Sequence, residues 1–163
     1  MIEFYTDGAC KGNPGPGGFG VCSIRGDKVI YMHSEQCEDT TNNREEMKAI
    51  LHVFQLIDTS KITDTVIIYS DSAYCVNMIN DWIWKWANNG WKNSKKQIVE
   101  NIDLVKELYK YLTIEFFPCQ VVKVKGHHGI MENELADALA TNDEVKCQKI
   151  FKKHGLMYFN FKN

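Results

Sequence analysis

The stretch Thr65-Val66-Ile67-Ile68-Tyr69 decides the fold class, because it is a short apolar run rich in β-branched residues. Such a run predicts a buried central strand. The other strands are predicted over residues 2–6, 19–25, 28–36 and 113–124. The helices are predicted over about 43–58, from a cap at Asp71 or Ser72 to residue 81, over 99–112 and over 132–141. This order predicts an α/β fold with a five-stranded mixed sheet flanked by helices on both faces.

Glycine and proline mark two of the connections. Lys11-Gly12-Asn13-Pro14-Gly15-Pro16-Gly17-Gly18 predicts a tight loop, and Arg25-Gly26-Asp27 predicts a hairpin turn. No repeat, linker or low-complexity tract interrupts the sequence, so we expect one domain.

Charge and composition exclude several classes of protein. A net charge of -2 over 163 residues gives no overall attraction to polyanions, so any contact with nucleic acid must come from local patches. No apolar run approaches the roughly 18 residues that span a bilayer, and no membrane association is expected. The first residues lack the pattern of a secretory signal, which predicts a cytoplasmic protein. The six cysteines form no C-x-x-C pair, so a metal should be a hard ion held by oxygen.

Four acidic residues lie beside predicted buried segments. Asp7 ends the first strand, and Asp71 follows the strand 65–69. Glu46 is placed in the first turn of its helix, and Asp137 interrupts an apolar stretch between Leu135 and Ala140. Each has an ordinary structural explanation when it is taken singly: a turn, a helix cap, the positive end of a helix, or a solvated helix face.

Several segments occur together in a characteristic order. They are Tyr5-Thr6-Asp7-Gly8-Ala9-Cys10, Gly12-Asn13-Pro14-Gly15-Pro16-Gly17-Gly18, Thr41-Asn42-Asn43-Arg44-Glu45-Glu46, Tyr69-Ser70-Asp71-Ser72, Lys125-Gly126-His127, and Glu132-Asn133-Glu134 followed by Asp137. In this the sequence resembles the type 1 ribonuclease H family from about residue 3 to residue 141. The resemblance implies a ribonuclease H-like fold. It also implies a catalytic domain over residues 1–141, with 142–163 as an extension of the same domain.

The resemblance implies that Asp7, Glu46, Asp71 and Asp137 are catalytic residues that hold two Mg²⁺ ions, with Mn²⁺ as a possible substitute. Two such ions about 4 Å apart can stabilise the attacking and the leaving oxygen of phosphoryl transfer. The implied reaction is endonucleolytic hydrolysis of the RNA strand of an RNA–DNA hybrid, leaving 5′-phosphate and 3′-hydroxyl ends, by a monomeric enzyme. His127 would help proton transfer or product release, whereas the neighbouring His128 aligns with nothing in the family.

Contacts with the hybrid are implied by the same resemblance. Asn13 and Asn42 would touch sugar edges or bases, and Thr41, Arg44 and Asn101 would form a pocket for a DNA phosphate. A basic handle would bind DNA sugars and phosphates through Trp82, Trp86, Lys92, Lys95 and Lys96. The sequence departs from the family at Ala87-Asn88-Asn89, at Ala73 and in the tail, which puts affinity rather than catalysis in doubt.

Two other functions remain open at this point. One is another nuclease of the superfamily, such as a transposase, a resolvase or the ribonuclease domain of a reverse transcriptase. The handle and the Asn42-Asn43-Arg44 segment disfavour the first two, and the absence of a polymerase disfavours the third. The second function is a non-catalytic module that binds hybrids. A surface for phosphate gains nothing from four acids, so the carboxylates disfavour it.

Overall fold

The structure is a computed structural model that describes residues 1–124 and 130–158. Its strands are β1 (Ile2–Cys10), β2 (Gly15–Arg25), β3 (Lys28–Thr40), β4 (Val66–Ser70), β5 (Cys119–Lys123) and β6 (Met157–Tyr158). Its helices are α1 (Asn42–Thr59), α2 (Ala73–Asn77), a π-helical turn (Met78–Trp82), α3 (Ile83–Asn88), α4 (Ile102–Leu112), α5 (Met131–Ala140) and α6 (Glu144–His154). None of the helices in these ranges is long and apolar enough to cross a membrane.

The strands form one mixed sheet in the order β5-β4-β1-β2-β3-β6. β1 pairs antiparallel with β2 and parallel with β4, which places the predicted central strand beside the first strand. The α/β class and the mixed sheet are therefore confirmed. Among the described residues the sheet has six strands rather than the predicted five, because Met157 pairs with Lys28 and Tyr158 with Val29 at its edge.

Two apolar clusters cover the two faces of the sheet, because side chains alternate along each strand. Phe4 and Val21 pack with α1 in the larger cluster. The neighbouring residues Tyr5 and Cys22 face the smaller cluster, which contains Leu135 of α5. The tail also belongs to this second face, since Ile150 of α6 and Leu156 are buried in the smaller cluster.

Several predicted boundaries are wrong. Gly15 to Gly18 were expected in a loop, but they form the start of β2, and the three glycines among them pair with β1 or β3. The strand predicted over 113–124 is only Cys119–Lys123, since turns occupy most of the preceding segment. The segment 73–88 is helical throughout, through α2, the π-helical turn and α3, so the helix predicted to stop at residue 81 continues into the tryptophan-rich stretch.

Candidate active site

Asp7 and Asp71 lie on adjacent parallel strands. Thr6 of β1 pairs with Ser70 of β4, so the residue that follows in each strand is one of these two acids. Tyr5 and Tyr69 directly precede Thr6 and Ser70, and their rings stack with the centroids 4.7 Å apart. Asp71 follows its strand as predicted, but Asp7 lies inside β1 rather than at its end, because β1 continues to Cys10.

Gly8 allows α1 to lie directly against β1. A Cβ atom at Gly8 would be 2.4 Å from the backbone nitrogen of Glu46 and 2.6 Å from the carbonyl carbon of Glu45. Only a residue without a side chain permits this approach. Glu46 was expected in the first turn of the helix, but it is the fifth residue of α1, which begins at Asn42 after the N-cap Thr41. The close approach places the buried Glu46 beside Asp7.

Gly20 has the same role for α5 on the other face of the sheet. Gly20 pairs with Asp7 in the β1–β2 register. A Cβ atom there would be 2.3 Å from the carbonyl oxygen of Ala136 and 2.7 Å from the backbone nitrogen of Ala140. The backbone of α5 therefore lies against β2, and Asp137, one residue after Ala136, is brought to Asp7.

The three acids Asp7, Glu46 and Asp71 form a cluster that fits a hard cation. One oxygen from each can be chosen so that all lie within 4.8 Å of one another. The buried Oε2 atom of Glu46 has no hydrogen-bond partner among the described residues. A buried carboxylate oxygen without a partner is costly, so this atom favours a binding site for a positively charged ligand. An all-carboxylate set of donors suits Mg²⁺ or Mn²⁺ rather than a softer metal.

The electrostatics of the cluster agree with this interpretation. Burial, and then the charge of Asp71, raise the pKa of Asp7 well above its ordinary value. Burial, and then the charge of Asp7, raise the pKa of Glu46 by more than that of Asp7 is raised. Several carboxylates cannot all stay ionised in a buried space, so the cluster binds either protons or a cation.

Asp137 has a cationic side chain beside it. It lies close enough to Asp7 to hydrogen-bond with it, but it is not in the three-acid cluster. The side chain of Asp137 is 35% exposed and forms an ion pair with Nζ of Lys146 in α6. Sequence reasoning missed Lys146, since the tail matches no motif and the contact depends on how α6 packs. The predicted His127 lies outside the described residues.

The loop before β2 and the start of α1 are joined on the surface. Oδ1 of Asn13 accepts a hydrogen bond from the backbone N–H of Asn42, at 3.0 Å. Oγ1 of Thr41 caps α1 by accepting from the backbone N–H of Arg44, at 3.3 Å. Both asparagines are exposed, so the structure brings together on one surface two of the residues predicted to touch the hybrid.

The predicted phosphate pocket contains an unexpected acid. Arg44 donates to Oδ1 of Asn101 at 3.2 Å, so these two predicted residues do meet. However, Arg44 also donates to both carboxylate oxygens of Asp103, at 3.0 and 2.8 Å. This contact lowers the pKa of Asp103 to about 2. The guanidinium that would bind a phosphate is therefore already paired within the protein.

The predicted handle has an aromatic base and an exposed basic loop. Trp82 and Trp86 are half-buried against the larger cluster, with their ring centroids 6.1 Å apart. The loop that follows is held by Oδ1 of Asn93, which accepts from the backbone N–H groups of Lys95 and Gln97. The three lysines predicted to bind phosphate are all exposed: Lys92, Lys95 and Lys96.

The role of Gly8 leads to a testable prediction. Gly8→Ala should push α1 away from β1 and separate Glu46 from Asp7, at a cost of about 1–3 kcal/mol for overpacking. We expect a lower melting midpoint and a reduced cleavage rate even at temperatures where the protein is folded. Gly26→Ala is the control, because Gly26 has a φ of +65° but open space around it. That change should lower the midpoint and leave the rate of the folded protein unaltered. Equal rates for the two variants would contradict the positioning role of Gly8.

Comparison with known proteins adds to this geometry. The family model for RNase H matches residues 1–144. Ribonuclease H of Legionella pneumophila (strain Corby) is 42% identical over 139 residues, which cover 85% of this chain and 93% of that protein. Ribonuclease H of Orientia tsutsugamushi (strain Boryong) is 41% identical over 155 residues, with coverages of 94% and 88%. The solution structure of the PFV RNase H domain superposes with a TM-score of 0.73 at 25% identity, covering 86% of this chain and 92% of that one. Since the match spans most of the sequence and the fold agrees, the chain belongs to the ribonuclease H family.

Proposed function

We propose that this protein hydrolyses the RNA strand of RNA–DNA hybrids at the cluster of Asp7, Glu46 and Asp71, with Asp137 completing the site. The observation that carries the proposal is the buried three-acid cluster with its unpartnered Glu46 oxygen. In a protein that only bound nucleic acid, such a concentration of negative charge next to a phosphate would lower the affinity. Membership of the ribonuclease H family and the relatives named ribonuclease H support the substrate.

The four acids would hold two Mg²⁺ ions, or Mn²⁺ in their place. When bound, these ions supply Lewis acidity and neutralise charge on the phosphate and on the departing oxygen. Asp7, Glu46 and Asp71 hold their oxygens in place without rearrangement, because β1, β4 and α1 fix the backbone of each. Asp137 would supply the fourth carboxylate, and its half-exposed side chain is paired with Lys146 in the structure.

The proposed reaction is hydrolysis of one phosphodiester bond. The oxygen of a water molecule attacks the phosphorus and gives up a proton, and the bond from phosphorus to the ribose 3′-oxygen breaks. The 3′-oxygen takes up a proton, so the products carry a 5′-phosphate and a 3′-hydroxyl. We assign proton transfer or product release to His127 from its motif, as an imidazole titrates near neutral pH.

The substrate is tested with a panel of duplexes labelled on both strands. In magnesium, the wild-type protein should cut the RNA strand of a hybrid and leave its DNA strand, double-stranded DNA and double-stranded RNA intact. Treating the products with a phosphatase should change the mobility of the fragments on the 3′ side of each cut, which carry the new 5′-phosphate. Binding of the hybrid without cleavage would instead favour the non-catalytic module.

The pairing of Arg44 with Asp103 predicts that a substitution improves binding. In Asp103→Asn the guanidinium loses its charged partner and becomes available to a DNA phosphate. We expect tighter hybrid binding, by about threefold or more, and a salt dependence steeper by up to about 0.9 in slope for one added phosphate contact. Asp58→Asn, which removes an exposed acid near the far end of α1, should change neither quantity. Fluorescence anisotropy in a chelator measures both. Unchanged or weaker binding by Asp103→Asn would show that Arg44 does not bind phosphate in this way.

A further inference from the structure

A second charged surface adjoins the active site, on the side away from the handle residues. α5 and α6 form the walls of a groove of about 430 Å³. Its lining residues are Asn133, Glu134 and Asp137 from α5 and Lys146, Lys149, Ile150 and Lys153 from α6. Because Asp137 belongs to the wall, the groove opens directly beside the acidic cluster.

The lysines form one basic face of α6. Lys146, Lys149 and Lys153 are three and four residues apart, which places them on the same side of the helix. A helix rises about 1.5 Å per residue, so this face is about 10 Å long. One strand of a duplex advances about 3.4 Å per nucleotide along the axis, so a face of this length matches about three phosphates.

α6 packs against α5, so the direction of this face is defined. Ile150 is 5% exposed and packs in the same cluster as Leu135 of α5. Oδ1 of Asp143 caps the helix by accepting from the backbone N–H of Lys146, at 2.9 Å. Gly155 ends it in a left-handed conformation.

The three lysines differ in whether they already form an ion pair. Lys146 is paired with Asp137, and this contact raises the pKa of Lys146. Within residues 1–124 and 130–158, Lys149 and Lys153 form no ion pair, and both are exposed. Among the described residues, Glu134 is the one other acid in the groove wall, so the lysines there outnumber the acids by three to two. Two lysines are thus available to an external anion.

We propose that the face of α6 formed by Lys149 and Lys153 binds the backbone of the RNA strand next to the phosphate that is cut. This inference rests on the proposed function, which places the reacting phosphate of the RNA strand at Asp137. The strand that leaves Asp137 along the groove meets these two lysines within the length of three nucleotides. The protein as a whole is negative, so a local basic face of this kind is needed to hold the strand.

The first test measures hybrid binding by the full chain in a chelator, where no cleavage occurs. The double variant Lys149→Ala/Lys153→Ala should bind about tenfold more weakly at moderate salt. It should also lose up to about 1.8 from the slope of log affinity against log salt, at about 0.9 for each phosphate contact. Lys152→Ala is the matched control, because Lys152 has the same charge on the same helix but does not line the groove. It should stay within about twofold of the wild type. The variant Lys149→Arg/Lys153→Arg should retain most of the affinity.

A melting curve for each variant shows whether α6 remains folded. A double alanine variant that melts with the wild type and binds like Lys152→Ala would overturn the inference. Failure of the wild-type protein to cleave any hybrid would overturn the proposed function, and this inference with it. Normal cleavage combined with lysine-independent binding would overturn the inference alone.

The second test identifies the strand. Three consecutive phosphates are replaced by uncharged methylphosphonate linkages, on either side of the cut position in turn. When the replaced phosphates lie in the RNA strand, on one of the two sides of the cut, the difference in affinity between the wild type and the double variant should disappear. The same replacement in the DNA strand should leave that difference intact. A difference lost only with the DNA strand would show that the lysines bind the other strand and would contradict the proposal.

Discussion

Replacing Asp71 with asparagine is expected to lower hybrid cleavage in magnesium by at least about a hundredfold while changing hybrid affinity by less than about tenfold. Asp71 directly follows β4 and supplies one of the three clustered oxygens, so its loss would remove one of the proposed ligands of the metal ions. A hundredfold corresponds to about 2.7 kcal/mol of transition-state stabilisation, which is modest for the loss of a charged ligand. Binding survives because the handle lysines and the loops lie on other elements.

The control for this prediction is Asp64→Asn. Asp64 is an exposed acid that precedes β4, whereas Asp71 follows it, so the two carboxylates lie at opposite ends of the same strand. For Asp64→Asn, the single-turnover cleavage rate and the hybrid affinity from anisotropy titrations should equal those of the wild type. If Asp71→Asn keeps more than a tenth of the wild-type rate, Asp71 is not a ligand of the catalytic metal.

The second large effect is expected on stability without metal. Asp7→Asn should raise the melting midpoint in a chelator by about 3 °C or more, since 1 kcal/mol corresponds to about 2–4 °C for a chain of this size. Asp7 is buried beside Glu46 and Asp71, and its pKa is raised in the folded state, so its charge opposes folding. Such a group binds its proton more tightly in the folded than in the unfolded chain. The free energy of unfolding of the wild type should therefore fall as the pH rises from about 4 towards and beyond neutral.

Asp137→Asn is the informative contrast. A simple count of charges would predict that neutralising any of the four acids stabilises the apo protein. Asp137, however, is half-exposed and paired with Lys146, so removing its charge also removes an ion pair. We expect little change in its midpoint, as partly exposed ion pairs are worth at most about 1 kcal/mol.

Magnesium should raise the midpoint of the wild type more than that of Asp7→Asn. A midpoint for apo Asp7→Asn several degrees below the wild type would show that Asp7 is a structural hydrogen-bond partner.

The sequence predicted best what depends on local pattern. The apolar run at 65–69 and the three- and four-residue spacing of Met47, Ile50 and Phe54 correspond to β4 and to the buried side of α1. In these segments the local spacing of apolar residues is enough to determine which face is buried. The order of the acidic motifs was sufficient to select Asp7, Glu46 and Asp71 as a set, although no spacing rule alone places residues from separate elements together.

Features that depend on long-range contacts were missed. Gly17 and Gly18 look like loop residues, yet they extend β2, because Gly18 packs against the side chain of Gln36 and the backbone of Ala140. Lys146 and Asp137 meet only because α6 returns along α5. Asp103 looks like an ordinary first-turn acid of α4, and only the tertiary structure brings it to Arg44. None of these contacts has a local sequence pattern.

The central claim is most directly tested by a time course of hybrid cleavage with wild-type protein and Glu46→Gln, each in magnesium and in chelator. Glu46 is the most informative position, because it is buried and its Oε2 atom has no hydrogen-bond partner among the described residues. The wild type in magnesium should cut the RNA strand, and the other three reactions should show no cleavage above background. Cleavage by the wild type in chelator, or by Glu46→Gln in magnesium at a rate near the wild type, would contradict a metal-dependent active site at these carboxylates.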